Sequence, residues 1–201
     1  MATIEESGLK FQFDDEQYSA VKFDEMPFYR DRFNKLPGGK GVDIIANSKE
    51  ILQLIEIKNC IGHEVDNIWR TSNNNTNLQA APKELDISDR DSFDIEIAKK
   101  IASTLTCLYG AWTKSESSEK ASEMAIFWDG LNVEGIKKDQ KKIVIILFLE
   151  GDFDKHGPRS RSKKMIMKSI KDSIETKLSW LNCRVTVVDS STYKKKYFEI
   201  V

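Results

Sequence analysis

An α/β fold, with a mixed central sheet flanked by helices on both faces, is the class this sequence predicts. Three observations predict it. Ile143–Leu149 (IVIILFL) is a continuous apolar run of strand length, as a central strand covered on both faces requires. Val42–Ala46 and Ile51–Lys58 are two further strand-like runs, and the polar segment Asn47–Glu50 between them reads as the turn of a β-hairpin. Ile97, Ile101, Leu105, Leu108 and Trp112 recur at helical spacing, as do Ile166, Ile170, Ile174, Leu178 and Leu181. Helical stripes that alternate with buried strands favour layers of helix on sheet.

The 201 residues suit a single domain over 1–201, with an insertion or mobile segment expected around 71–90 and 115–141. A hydrophobic content of 40% is enough for a core, and the formal net charge of −1 excludes a global pull towards nucleic acid. Any such binding must use local basic patches. Cys60, Cys107 and Cys183 are odd in number and far apart, so they predict reduced, mostly buried thiols in a cytosolic protein. The opening stretch MATIEESGLKFQF has acids and no apolar centre, so no signal peptide is expected. The longest apolar run falls far short of the roughly 20 residues a bilayer span needs, and no membrane partner is expected.

Taken in order, Leu9–Phe13 alternates apolar and polar and predicts a short strand. Asp14 predicts the cap of a helix running to about Glu25, which Pro27 would break. Phe28–Phe33 predicts one more helical turn before the loop Leu36–Gly41. After the hairpin, Arg70 opens the polar tract Thr71–Asn77, which reads as a loop over the site or a plain connection. Asp91 or Ser92 starts the long helix, and its apolar stripe is core. Ser115–Lys120 is a polar link, and Ala121, Met124, Ala125, Trp128 and Leu131 suggest a further helix. Lys137–Lys142 is a solvated basic run. The last helix is capped by Ser160 or Ser162, Arg184–Val188 is a final core strand, and Tyr193–Val201 adds an edge strand or tail.

The hairpin carries three charges inside apolar runs: Asp43, Glu56 and Lys58. Strand side chains alternate faces, so Glu56 and Lys58 point the same way. A two- or four-residue loop places Asp43 opposite Leu52 or Leu54, which share that face. Burying a charge is costly unless it is paired or binds a metal. Two adjacent carboxylates repel, and a divalent cation removes that repulsion. Mg²⁺ takes hard oxygen ligands, often one or two carboxylates plus substrate phosphate. A lysine beside them can meet a phosphate or orient a metal-bound water. Such a set suits phosphodiester hydrolysis. Glu175-Thr176-Lys177 has the same letters in a helical pattern, where it reads as a solvated face.

Asp43 followed by Glu56-Ile57-Lys58 resembles the D…(D/E)xK signature of the restriction-endonuclease-like, or PD-(D/E)XK, nuclease superfamily. Val42 stands where the family's name has Pro. The resemblance covers the hairpin and the order of elements around it. It implies a restriction-endonuclease-like core in which Asp43, Glu56 and the carbonyl of Ile57 bind Mg²⁺ (or Mn²⁺) and Lys58 assists the attacking water. In that family a helix before the hairpin often supplies one more acid; Glu16, Asp24, Glu25 and Asp31 all qualify, and Glu25 is favoured. The implied function is metal-dependent cleavage of DNA, ahead of RNA, in a setting such as restriction or phage defence.

For nucleic acid, the densest basic stretch is Lys155–Lys168, with Lys155, Arg159, Arg161, Lys163 and Lys164 as candidate phosphate contacts at the start of a helix. Arg70 is a further candidate. Two other readings stand beside the nuclease: a catalytically inactive nuclease-fold subunit that binds nucleic acid or a protein partner, and an α/β scaffold with no active site. A homo-oligomer, or a place as partner subunit in a larger system, is compatible with each. Pro37–Gly41 lacks P-loop spacing, and the two isolated histidines, His63 and His156, support no Ser-His-Asp arrangement.

Overall fold

The computed structural model of the chain describes residues 1–75, 90–131, 142–154 and 161–201. β1 (Ala2–Glu6) and β2 (Leu9–Phe13) form a tight hairpin turned by Ser7 and Gly8, both at positive φ. β3 (Ser19–Lys22), α1 (Pro27–Asp31), β4 (Ile44–Asn47) and β5 (Leu52–Asn59) follow. After α2 (Glu64–Asn67) comes the long α3 (Phe93–Trp112), then the short α4 (Glu119–Ser122) and α5 (Ala125–Asp129). β6 (Ile143–Glu150), α6 (Lys163–Lys177), β7 (Cys183–Val188) and β8 (Glu199–Ile200) complete the order.

Five strands make the main sheet in the order β3-β4-β5-β6-β7. β3, β4 and β5 are antiparallel neighbours, whereas β5-β6 and β6-β7 are parallel, so the sheet is mixed as expected. β6 lies between β5 and β7, and all eight of its residues are buried, which is why its sequence is apolar without alternation. β1, β2 and β8 form a separate antiparallel sheet.

The two faces of the main sheet are covered differently. One carries Ile45, Leu52, Leu54, Ile145, Leu147 and Leu149, packed under Ile97, Ile101 and Leu108 of α3 and Ile166, Ile170 and Ile174 of α6. The other carries Ile44, Ala46, Ile55, Ile57, Ile146 and Phe148, and it packs on Phe11, Phe13 and Phe198 from the small sheet and its approach. Helices were expected on both faces; among the described residues α3 and α6 share one, and the small sheet covers the other. Crossovers of one hand that step in one direction across a sheet land their helices on one side, and β5-α3-β6-α6-β7 steps that way.

Other expectations also change. The helix expected over 14–25 is a turn followed by β3. Tyr18 and Ala20 meet one core and Val21 and Phe23 the other, a two-residue period that pairing with β4 exploits. Pro27 begins α1 instead of ending a helix, because the first turn has no use for its missing N–H. Ser115–Lys120 is a turn of 3₁₀ helix leading into α4, and the helix expected after it is split into α4 and α5. Of the segments expected to be inserted or mobile, 76–89 and 132–141 lie outside the described residues. Asn73 and Asn74 are fastened: Asn73 donates to Ser169 Oγ and Asn74 accepts from Lys177. Lys177 is no solvated lysine either, since it pairs at 2.7 Å with fully buried Asp94. Trp112, expected as core, is about half exposed and stacks on Trp128. No described helix is long and apolar enough to cross a membrane. All three cysteines are free, with Cys60 and Cys107 buried.

Candidate functional site: an acid and lysine cluster under helix α3

The register of β4 on β5 decides the site. Ile44 pairs with Ile55 and Ile45 with Leu54, with Ser48–Ile51 turning between the strands. Asp43 lies just before β4, and continuing the register one residue past its last pair sets it across from Glu56. The hairpin loop lengths expected from sequence put Asp43 opposite Leu52 or Leu54. The pairing is shifted by an even number of residues from both, so the face is preserved and the two acids come closer. Glu56 and Lys58 follow Leu52 and Leu54 onto the helix-covered face, while Ile55 and Ile57 pack on the other.

Asp43 is held from several sides. Its Oδ2 accepts the N–H of Ile57 at 2.7 Å, and its carbonyl accepts the N–H of Phe23 at 2.9 Å. The N–H of Val42 donates to Thr104 Oγ1 of α3 at 3.0 Å, which ties the strand entry to the helix. Just before it, the Tyr29 hydroxyl accepts from the Gly41 N–H at 3.0 Å and donates to the Gly39 carbonyl at 3.2 Å. A side chain on Gly41 would meet the Phe23 ring at 2.5 Å, so this approach demands glycine.

Beneath α3 six charges meet. Lys58 Nζ lies 2.7 Å from Glu56 Oε1 and 2.7 Å from Glu96 Oε1. Lys100 Nζ lies 2.5 Å from Glu56 Oε1 and 3.4 Å from Asp43 Oδ1. Arg70 pairs with the second oxygen of Glu96. Glu96 and Lys100 are one helical turn apart on α3, so one face of the helix presents an acid and a base to the strand pair. The site lies towards the carboxyl end of β5, where β5 and β6 run parallel, and open α/β sheets bind ligands at that end of their strands.

Glu56 is 1% exposed. Burial pushes its carboxyl up, Lys58 pulls it back, the charge of Asp43 raises it again and Lys100 lowers it, and the balance stands at about 7. Burial works against the Lys58 ammonium, but the Glu56 and Glu96 carboxylates outweigh it and hold the group protonated above its usual range. The same contest favours the charged form of Lys100, through Glu56, and of Glu96, through Lys58 and Arg70.

Could the residues present hold a divalent ion? Glu56 Oε2 is buried and has no hydrogen-bond partner among the described residues. It is a hard oxygen donor beside a second carboxylate, and that fits Mg²⁺ or Mn²⁺. Among the described residues no three Asp, Glu, His or Cys side chains gather into one metal-holding group. An ion here would have Asp43 and Glu56 as its carboxylates and complete its shell from backbone, water or substrate.

The other candidates read from the sequence end elsewhere, and the physical reasons are local. Glu25 is exposed and pairs with Lys22 at 3.1 Å, an outer-surface contact on the β3 edge. Asp24 is exposed; burial raises its carboxyl, Lys22 lowers it, and Glu6 and Asp43 raise it further. Asp31 is engaged by Lys120. Arg70 cannot serve as a free phosphate contact. It is 6% exposed and spends its guanidinium on Glu96, the Asp91 carbonyl, Asn67 Oδ1 and the ring of Phe93, 4.4 Å away. Lys155 and Arg159 lie outside the described residues. Lys163 is tied to Asp189 at 2.6 Å, whereas Arg161 and Lys164 are exposed. The α6 start offers fewer free N–H groups than expected, because those of Lys163 and Met165 already reach Asp154 and Ser162 side chains. Ile57 contributes its N–H to Asp43, and its side chain is buried on the far face.

Sequence reasoning missed Glu96 and Lys100. They flank the apolar stripe of α3, and the signal available in the sequence was their four-residue spacing.

Over residues 26–201 the chain matches, and belongs to, a family of unknown function, DUF6661. No curated protein and no solved structure matches it.

Proposed function

We propose that this DUF6661 member is a metal-dependent nuclease of the PD-(D/E)XK type, hydrolysing phosphodiester bonds of DNA ahead of RNA in the cytosol, with restriction or phage defence as its setting. The observation that carries the reading is that Asp43, Glu56 and Lys58 converge on one charge cluster, with the second carboxylate oxygen of buried Glu56 unpartnered among the described residues.

Asp43 and Glu56 would hold the ion, and when bound it supplies a Lewis acid and an activated water. The chain's own residues prepare the rest. Ile57 N–H fixes one oxygen of Asp43. Lys58 is held between Glu56 and Glu96 at 2.7 Å from each, and its ammonium would stand as a positive charge towards a phosphate oxygen or a metal-bound water. Arg70 keeps Glu96 in place from behind.

Asp43→Asn and Glu56→Gln should each reduce Mg²⁺-dependent cleavage of plasmid and single-stranded DNA to background while circular dichroism stays unchanged. Lys58→Ala should lose cleavage and keep metal binding. Cleavage by Asp43→Asn at the wild-type rate would sink the assignment.

A second reading has one specific observation in its favour. Lys100 already bridges Asp43 and Glu56. A nuclease-fold subunit without catalysis, binding nucleic acid or a protein partner, would have acids neutralised in this way permanently. Absence of metal binding together with retained DNA binding would favour it.

A further inference from the structure

Glu56 Oε1 receives two ammonium groups, Lys58 and Lys100, while Oε2 of the same carboxylate has no partner among the described residues. The two lysines differ in what else they hold. Lys58 also pairs with Glu96, so it keeps an anion even without Glu56. Among the described residues the ion pairs of Lys100 run to Glu56 and Asp43, the two carboxylates proposed as metal ligands. Its ammonium therefore does the neutralising that a divalent ion would do there.

We infer that Lys100 is a built-in counter-cation of the acid pair, which a divalent ion must displace to reach Asp43 and Glu56. The inference rests on the metal-dependent reading above. Its physical basis is a charge balance. With Glu56 ionised, Asp43, Glu56 and Glu96 face Lys58, Lys100 and Arg70, three anions against three cations. A divalent ion added to that neutral set would bury two uncompensated charges, which a protein interior does not tolerate. Withdrawing Lys100 halves the excess, frees Asp43 Oδ1 and leaves Glu56 Oε1 with Lys58 alone. Withdrawing Lys58 would halve it too, but would strip Glu96 of one partner. Lys100 has an outlet to solvent: its side chain is 13% exposed, and a flexible four-carbon stem carries the charge from α3. In the metal-free protein the same contact suppresses repulsion between Asp43 and Glu56. Metal affinity and metal-free stability thus oppose each other through one residue.

The test compares the full chain as wild type, Lys100→Met and Lys100→Met/Asp43→Asn. Mn²⁺ and Mg²⁺ are titrated by isothermal calorimetry, and Tm is measured with and without Mn²⁺. Methionine keeps the length of the stem and suits a helix. Lys100→Met should bind Mn²⁺ about tenfold tighter than wild type. Its metal-free Tm should be lower, and its rise in Tm on adding Mn²⁺ larger. Asp43→Asn should abolish the gain. Lys100→Gln carries the same expectation if Lys100→Met does not fold. Unchanged or weaker binding in the Lys100 variants, with wild type binding, overturns the inference and leaves the metal site standing. Tighter binding that survives Asp43→Asn overturns it too, because the ion is then elsewhere. No binding by any of the proteins overturns the inference and the metal-dependent reading together.

Discussion

Arg70 controls the cluster without belonging to the chemistry. Its guanidinium lies over the Phe93 ring, donates to Asn67 and Asp91, and pairs with Glu96, which in turn holds Lys58. Removing one member of a buried pair leaves an uncompensated charge, so Arg70→Ala should destabilise by about 3–5 kcal/mol in urea denaturation. Arg70→Lys should recover only part of this, because an ammonium cannot make the forked contact. A loss well under about 1 kcal/mol in Arg70→Ala would mean that water reaches Glu96 freely.

At the level of elements, the ends of β7 and α6 are joined by Asp189. Its carboxylate pairs with Lys163 at 2.6 Å and accepts from the hydroxyls of Ser191 and Thr192. Burial works to raise this carboxyl and is the largest single influence, yet Lys163, Thr192 and Ser191 together hold it down at about 2, against an ordinary 3.8. The folded carboxyl therefore binds its proton less readily than the unfolded one. Its contribution is complete above 3.8 and is lost as pH falls through about 2. The difference amounts to about 2 kcal/mol. Asp189→Asn should cost about that much at neutral pH, and the two stability curves should converge on acidification through this window. An offset that persists below it would assign the loss to packing. The consequence for the site is positional: Asp189 ties the first residue of α6 to the end of β7, beside Arg161 and Lys164.

Across the whole molecule, charge is nearly balanced, so nucleic acid would have to find a local surface. Arg161 and Lys164 are exposed at the start of α6, on the same carboxyl-end side of the parallel strands as the acid cluster. Arg161→Ala combined with Lys164→Ala should weaken DNA binding and leave metal binding unchanged. The log–log salt slope should become shallower by roughly one unit per lost phosphate contact. Unchanged affinity and slope would move the docking surface away from α6. The family match starts at residue 26, so every residue of the cluster falls within it, while β1, β2 and β3 precede it.

Short-range pattern was enough for much of this. The apolar run of β6, the stripe of α3 and the hairpin of β4 and β5 are local periodicities, and each appears close to its expected bounds. The shared face of Asp43, Glu56 and Lys58 was legible for the same reason, since a period of two survives any even shift of register. What sequence could not decide was which side chains cross between elements. Whether a charge flanking a helical stripe meets water or a strand depends on where the helix docks, and only the packed layers place Glu96 and Lys100 over the acids and turn Arg70 inward. The strand within 14–25 escaped local pattern for a related cause: it exists through pairing with β4, a contact between distant residues that outweighs local propensity. Covering one face of the sheet with β1, β2 and β8 also depends on the chain's last residues returning to its first, and no local pattern records that closure.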